Sequence, residues 1–203
     1  MANSESIVYV VDDDGAVRDS LRLLLKSVGL SCETFESGAE FLDAFEAGRR
    51  ACLVADIRMP GMSGLDLQAE LNRRQAHLPL VFITGHGDVP MAVDAMKAGA
   101  LDFIQKPFRD QDLLDRINQA LADEQEWREA DEERGEIEQR IATLTPRERE
   151  VMESVVRGDA NKVVAFDLGV SQRTVEIHRA RVMQKMGVRT LAQLVRMASK
   201  AGL

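Results

Sequence analysis

Cysteine is scarce: Cys32 and Cys52 are the only two in 203 residues, too few for the disulfide framework of small secreted domains. His77, His86 and His178 are equally scattered, which argues against a structural zinc site. No apolar run approaches the roughly 18 residues of a membrane span, and the N-terminus lacks the basic-then-apolar pattern of an export signal. These absences predict a cytoplasmic protein with reduced thiols and no membrane partner. Aromatics make up 4% of the chain, and residues 143–203 hold only Phe166, which leaves that end without a platform for stacking unpaired RNA bases.

Charge is plentiful and unevenly divided. Residues 1–139 carry 14 Lys and Arg against 28 Asp and Glu, a balance of −14, whereas residues 140–203 carry 12 against 6, a balance of +6. The length suffices for two modest domains, and the asymmetry predicts different partners for each, with nucleic acid for the basic end.

The first 120 residues alternate β-rich runs with amphipathic stretches. Strands are predicted at Ile7–Val11, Cys32–Phe35, Cys52–Ala55, Leu80–Thr84 and Asp102–Gln105. Helices are predicted near Ala16–Val28, Ala39–Ala47, Leu65–Arg74 and Val89–Ala98, with another from about Arg109. Ser37-Gly-Ala-Glu40 has the form of a capping box. Continuous apolar strands between helices predict a parallel sheet covered on both faces. Five strands suit a doubly wound sheet of order 2-1-3-4-5, with ligands at the carboxyl ends of its strands. The first strand then separates Cys32 from Cys52, which argues against a disulfide.

In that order three carboxylates meet. Asp12 and Asp13 follow the first strand and Asp56 the third, while Thr84 ends the fourth and Lys106-Pro107 follows the fifth. Clustered carboxylates attract a hard divalent cation such as Mg²⁺. With the charge neutralised, Asp56 becomes a nucleophile toward a phosphoryl group. Lys106 and Thr84 would then hold phosphoryl oxygens. Taken singly, Asp56 reads as a turn residue, Thr84 as a β-former, Lys106 as a surface lysine and Phe103 as plain core. In register together they read as a site.

The stretches "VVDDD", "LVADIRMPGMSGLDL" and "VFITGHGDVPMAVDAMKAGALDFIQKPF" resemble, in content and order, the receiver domains of bacterial two-component response regulators. The resemblance implies a flavodoxin-like fold and assigns Asp56 as phosphoacceptor. It gives Asp12, Asp13, Asp56 and the Arg58 carbonyl to Mg²⁺, with Asp13 the direct ligand and Asp12 acting through water. It gives Thr84 and Lys106 to phosphate sensing and Phe103 to a rotamer switch, and it implies a cis Lys106-Pro107 bond. Asp14 is left to cap the following helix. His86 either tunes hydrolysis of the acyl phosphate or idles in a loop. Asp12-x-Asp14 also fits the nucleophile motif of haloacid dehalogenase-like phosphatases. That reading is rejected: Gly87-Asp88 finds its next acid six positions on, at Asp94, and Asp56 and Lys106 would have no role.

Residues 122–142 carry nine acids and three arginines. The stripe Ile137, Ile141, Leu144 favours a helical spacer over disorder, with Gly135 a possible break. The predicted layout is 1–122, a helical linker at 123–142, and four helices over 143–203. Thr145-Pro-Arg-Glu148 boxes the first of these, Asn161–Leu168 forms the second, Ser171 caps a third to about Met186, and Thr190-Leu-Ala-Gln193 boxes the fourth. A short helix, a Gly turn and a Ser-capped helix make a helix-turn-helix signature.

"LTPREREVMESVVRGDANKVVAFDLGVSQRTVEIHRARVMQKMGVRTLAQLVRMASK" is similar to the LuxR/FixJ type of DNA-binding domain, which identifies the chain with the FixJ-like response regulators. On the third helix Val175, Val182 and Met186 face inward, with His178 a satisfied flank. Arg173, Glu176, Ile177 and Ala180 form the opposite face and would enter the major groove. Asn161, Lys162, Ser171, Thr174, Arg179, Arg181 and Lys185 are predicted phosphate contacts. The resemblance implies a sensor histidine kinase, double-stranded promoter DNA, RNA polymerase and a homodimer on phosphorylation as partners, in a transcription regulator that is no dedicated enzyme. Activation by receiver dimerisation and by release of a restrained output domain both stay open.

Overall fold

The computed structural model describes residues 6–85 and 89–203, apart from the side chain of Val89. The loop calls on His86, Gly87 and Asp88 lie outside the described residues. The chain divides into two compact units, one ending at Trp127 and one beginning at Arg128, a division inside the acidic stretch.

The first unit runs β1 (Ile7–Val11), α1 (Gly15–Ser27), β2 (Ser31–Phe35), α2 (Gly38–Ala44), β3 (Ala51–Asp56), α3 (Gly64–Arg73), β4 (Leu80–Thr84), α4 (Val89–Lys97), β5 (Asp102–Gln105) and the start of α5 (Asp110–Ala142). The sheet is parallel throughout, in the order β2-β1-β3-β4-β5. The inner strands β1, β3 and β4 are buried along their whole length, which is why they read as unbroken apolar runs. Alternate residues face opposite cores. Tyr9, Leu53 and Phe82 pack with Phe41 and Leu67, and Val8, Val54 and Ile83 pack with Leu25, Leu113 and Ile117. Val8 lies in register with both Cys32 and Cys52, and both thiols are free.

Two local expectations need correction. α2 stops at Ala44 rather than Ala47, because Phe45 leaves the helix with extended backbone and joins the aromatic cluster, 6.0 Å from Tyr9. The Ser37 box is half formed. Ser37 caps the Glu40 N–H, but the Glu40 carboxylate accepts from Glu36 instead of Ser37.

Gly64 is a requirement that no local pattern announces. A Cβ built there would lie 2.4 Å from the Asp56 carbonyl oxygen and 2.8 Å from the Phe82 ring. The Gly64 N–H also donates to the Ile57 carbonyl at 2.9 Å. α3 is thus seated directly on the end of β3. Gly64→Ala is expected to cost about 1–3 kcal/mol through overpacking, readable as a lower urea midpoint for the first unit. An unchanged midpoint would count against the close contact.

The second unit holds the last turns of α5, then α6 (Pro146–Val156), α7 (Asn161–Leu168), α8 (Gln172–Met186) and α9 (Leu191–Lys200). Thr145 and Thr190 form full capping boxes with Glu148 and Gln193. Gly169 and Gly187 end α7 and α8 in the left-handed conformation that favours glycine. Gly135 does not interrupt α5. Ile137 and Ile141, expected on a spacer, are buried in the core with Val151, Met152, Val175 and Val182. Among the described residues no helix is long and apolar enough to cross a membrane.

Candidate functional site

The parallel order carries the ends of β1, β3, β4 and β5 to one edge of the sheet. Lys106 Nζ donates to Asp12 Oδ2 and to Asp56 Oδ2, each at 2.9 Å. The second oxygen of each carboxylate accepts a backbone N–H, Asp12 from Asp14 at 2.9 Å and Asp56 from Arg58 at 3.0 Å. Asp12 is 1% exposed and Asp56 9%. Burial pushes the Asp12 carboxyl up, against the pull of the Lys106 hydrogen bond. Burial works against the charge on Lys106 too, yet its bonds to Asp12 and Asp56 hold it above its ordinary value. Thr84 is buried, and its carbonyl accepts the Lys106 N–H at 2.7 Å. The Lys106-Pro107 bond is cis. Phe103 lies exposed on β5, and a Cβ at Gly85 would meet nothing within 4 Å.

Among the described residues no group of three or more His, Cys, Asp or Glu side chains is close enough to hold a metal. The Lys106 ammonium bridges Asp12 and Asp56, while Asp13 sits at the exposed rim. Asp14 lies outside this grouping and caps α1, accepting the Ala16 N–H at 2.8 Å. The donor set still fits Mg²⁺: all its atoms are hard oxygens, and two buried carboxylates sharing one ammonium leave net negative charge. Sequence reasoning missed Arg18, whose guanidinium donates to the Asp12 carbonyl at 2.7 Å. Nothing in its spacing announces a contact that depends on how α1 leaves the loop.

In the second unit Ser171 caps α8, accepting the Thr174 N–H at 3.1 Å and hydrogen-bonding the Thr174 hydroxyl. Val175, Val182 and Met186 are buried, whereas Arg173, Glu176, Ile177 and Ala180 are exposed together with Lys162 and Arg181. Arg179 donates to the Asn161 side chain at 2.7 Å, tying α8 to the start of α7. Lys185 also makes contacts within this unit. Its ammonium donates to the Glu148 carboxylate at 2.6 Å and to the Thr143 carbonyl at 2.9 Å, bracing α8 against the α5–α6 turn. The buried Nδ1 of His178, expected to be satisfied, has no hydrogen-bond partner among the described residues. Phe166, 86% exposed on α7, was not singled out for any contact.

Glu148 carries a pH dependence. The Lys185 hydrogen bond, with the Thr145 N–H, holds its carboxyl well below the ordinary 4.5, at about 2. A carboxyl depressed in the fold stabilises it above the unfolded value, and that contribution fades as pH falls toward the folded one. The second unit is therefore expected to lose stability between about pH 4.5 and 2. Glu148→Gln should flatten that interval in circular-dichroism melts across pH. A profile identical to wild type would remove Glu148 from the account.

Residues 8–118 match the response regulator receiver domain, and residues 142–198 match the bacterial regulatory proteins of the luxR family. The chain is 51% identical over 196 residues to the transcriptional regulatory protein FixJ of Azorhizobium caulinodans, covering 97% of this chain and 93% of that one. It is 48% identical over 202 residues to nodulation protein W of Bradyrhizobium diazoefficiens, covering 100% and 89%. The structure of response regulator StyR matches with a TM-score of 0.84 at 47% identity, covering 97% and 99%. Full-length FixJ from B. japonicum matches with a TM-score of 0.59 at 43% identity, covering 97% of each chain. The carboxylate-lysine edge and the capped helix-turn-helix are accordingly the two halves of one established architecture, and the chain belongs to the FixJ-like response regulators, transcription regulators with a receiver domain and a LuxR-type DNA-binding domain.

Proposed function

We propose that Asp56 accepts a phosphoryl group from a sensor histidine kinase and that this event switches promoter binding. The observation that carries the reading is the Asp56 carboxylate itself. One oxygen is held by the Arg58 N–H and the other by the Lys106 ammonium, at the tip of a central strand. Asp56 attacks phosphorus as the kinase imidazole leaves, and the Lys106 ammonium passes from the carboxylate to a phosphoryl oxygen. Asp13, Asp56 and the Arg58 carbonyl would hold Mg²⁺, with Asp12 acting through water. When bound, the ion supplies positive charge opposite the phosphoryl oxygens. Thr84 hydrogen-bonds a further oxygen, and Phe103 turns inward from its exposed position.

A groove of about 400 Å³ lined by Ala16, Val17, Ser20, Leu24, Pro107 and Phe108 adjoins Lys106. It suits a kinase helix delivering its phosphohistidine. Val93, Met96 and Phe103 expose apolar surface on α4 and β5, which supports a homodimer formed there on phosphorylation. In the output unit, Arg173, Glu176, Ile177 and Ala180 read the major groove, with Glu176 suited to a cytosine amino group. Lys162, Ser171, Thr174 and Arg181 contact phosphates, and the Asn161–Arg179 pair sets the angle of α8. Lys185 joins the phosphate contacts on exchanging its Glu148 bond for a phosphate. Promoter DNA and RNA polymerase are the output partners, in the cytoplasm, and turnover at Asp56 serves signalling rather than a dedicated enzymatic role. The receiver extends from residue 1 to about 122, and the output domain takes in the end of the 123–142 helix ahead of residues 143–203.

The test compares wild type with Asp56→Asn, given Mg²⁺ and a small acyl-phosphate donor. Wild type is expected to gain a base-labile acyl phosphate, dimerise and bind promoter DNA more tightly, with Asp56→Asn losing all three. Equal labelling and equal DNA responses in the two proteins would overturn the reading.

A further inference from the structure

Gln68 is a buried amide on the apolar face of α3, between Leu67 and Leu71, and is 3% exposed. Its Nε2 donates to the Ala95 carbonyl of α4 at 3.0 Å, while its buried Oε1 has no hydrogen-bond partner among the described residues. Burying an amide is unfavourable unless it is hydrogen-bonded, so half of this group's cost stands uncompensated. One turn further along α3, Asn72 Nδ2 donates to the Ala98 carbonyl at 2.8 Å. The Ala95 carbonyl, which also accepts the Ala100 N–H at 3.0 Å, lies in the last turn of α4, and the Ala98 carbonyl lies just past it, where a helix runs out of partners for its carbonyls.

α4 meets the core through Met91, which is partly buried, and through two small residues. Its buried residues Ala92 and Ala95 offer one methyl each, far less area than a leucine. Two amides add directional hydrogen bonds to that packing. The helix that bears them is seated on Asp56 through Gly64, and the helix they grip begins five residues after Thr84.

We infer that Gln68 and Asn72 form an amide clamp that holds the C-terminal turn of α4 in its resting position and sets how readily the receiver switches. This rests on the phosphoacceptor reading of Asp56. The clamp makes the resting state discrete, because a hydrogen bond is either made or lost as α4 moves. The unpartnered Gln68 oxygen keeps that state from being deeply favoured, so a single phosphoryl group suffices to tip it. Both residues are positioning residues and touch no reacting atom.

The test uses the full chain with Asn72→Ala, an exposed position where the fold is safe, and Gln68→Leu, which removes the amide and keeps the volume. Hydrogen exchange across residues 95–100 is measured without donor. The rate of Asp56 phosphorylation by a small acyl phosphate is measured with Mg²⁺. Each variant is expected to exchange faster and to phosphorylate about three- to tenfold faster, the span of one net hydrogen bond. Unchanged exchange and rate in both variants would overturn the clamp. Faster exchange at an unchanged rate would reduce it to a structural contact and overturn its role in switching. A wild type that takes up no phosphoryl group at Asp56 would overturn the parent reading and the switching role together. The donor-free exchange data separate that failure from a failure of the amides to hold α4.

Discussion

Lys106→Met is expected to destabilise the receiver by about 3–5 kcal/mol at neutral pH in the absence of divalent cations, the usual effect of removing one partner from a buried ion pair. The reason is geometric. Asp12 is 1% exposed, and its carboxylate and that of Asp56 meet the same ammonium at 2.9 Å. Methionine fills the space of the lysine stem but leaves two buried carboxylates facing each other. Mg²⁺ should restore more stability to the variant than it adds to wild type, because it no longer competes with the ammonium and binding to the folded state alone stabilises it. Urea denaturation of both proteins with and without Mg²⁺ reads this directly. A variant as stable as wild type without the ion would mean that the ammonium is not what holds the carboxylates together.

Ile141→Asp in the full chain is expected to abolish the cooperative melting of the second unit and its DNA binding, while Asp56 still takes up a phosphoryl group. Ile137 and Ile141 are 3% and 7% exposed in the core of that unit. Truncating one buried isoleucine to alanine costs about 2–5 kcal/mol, and burying a carboxylate without a partner costs more. A domain of this size seldom has more than about 3–5 kcal/mol in hand. The same reasoning predicts that residues 128–203 fold as a fragment and residues 143–203 do not, a difference visible in far-ultraviolet circular dichroism. Equal helicity and melting of the two fragments would show the isoleucines to be dispensable. The luxR-family match begins at residue 142, so this chain's output core recruits residues ahead of the family's common portion.

These two cases mark where sequence reading works and where it stops. The five strands were legible because β1, β3 and β4 are buried on both faces and so appear as unbroken apolar runs. Strand order then carried Asp12, Asp56, Thr84 and Lys106 to one edge without any side-chain knowledge. The helix caps at Ser171, Thr145 and Thr190 were legible because capping is a local hydrogen bond between residues three apart. Contacts between distant segments were not. Lys185 looks like any basic residue near a recognition helix until Glu148 is found beside it. Ile137 and Ile141 stand in so acidic a stretch that their stripe reads as a spacer's flank. Gly64 follows a good N-cap, and its need for a bare Cα comes from the Asp56 carbonyl above it. The bridging position of Lys106 depends on two strand ends at once.

The placement of β1 between the two cysteine-bearing strands has a consequence for the chemistry this protein leaves unused. Burial pushes the Cys32 thiol to about 11 and the Cys52 thiol to about 12, so neither supplies the thiolate that oxidants and alkylating agents attack at neutral pH. Sulfur is silent here, and the receiver's signal travels through oxygen and phosphorus alone. A cysteine introduced at an exposed position would then be the one reactive thiol on the receiver, ready to carry a spectroscopic label without removal of the native pair.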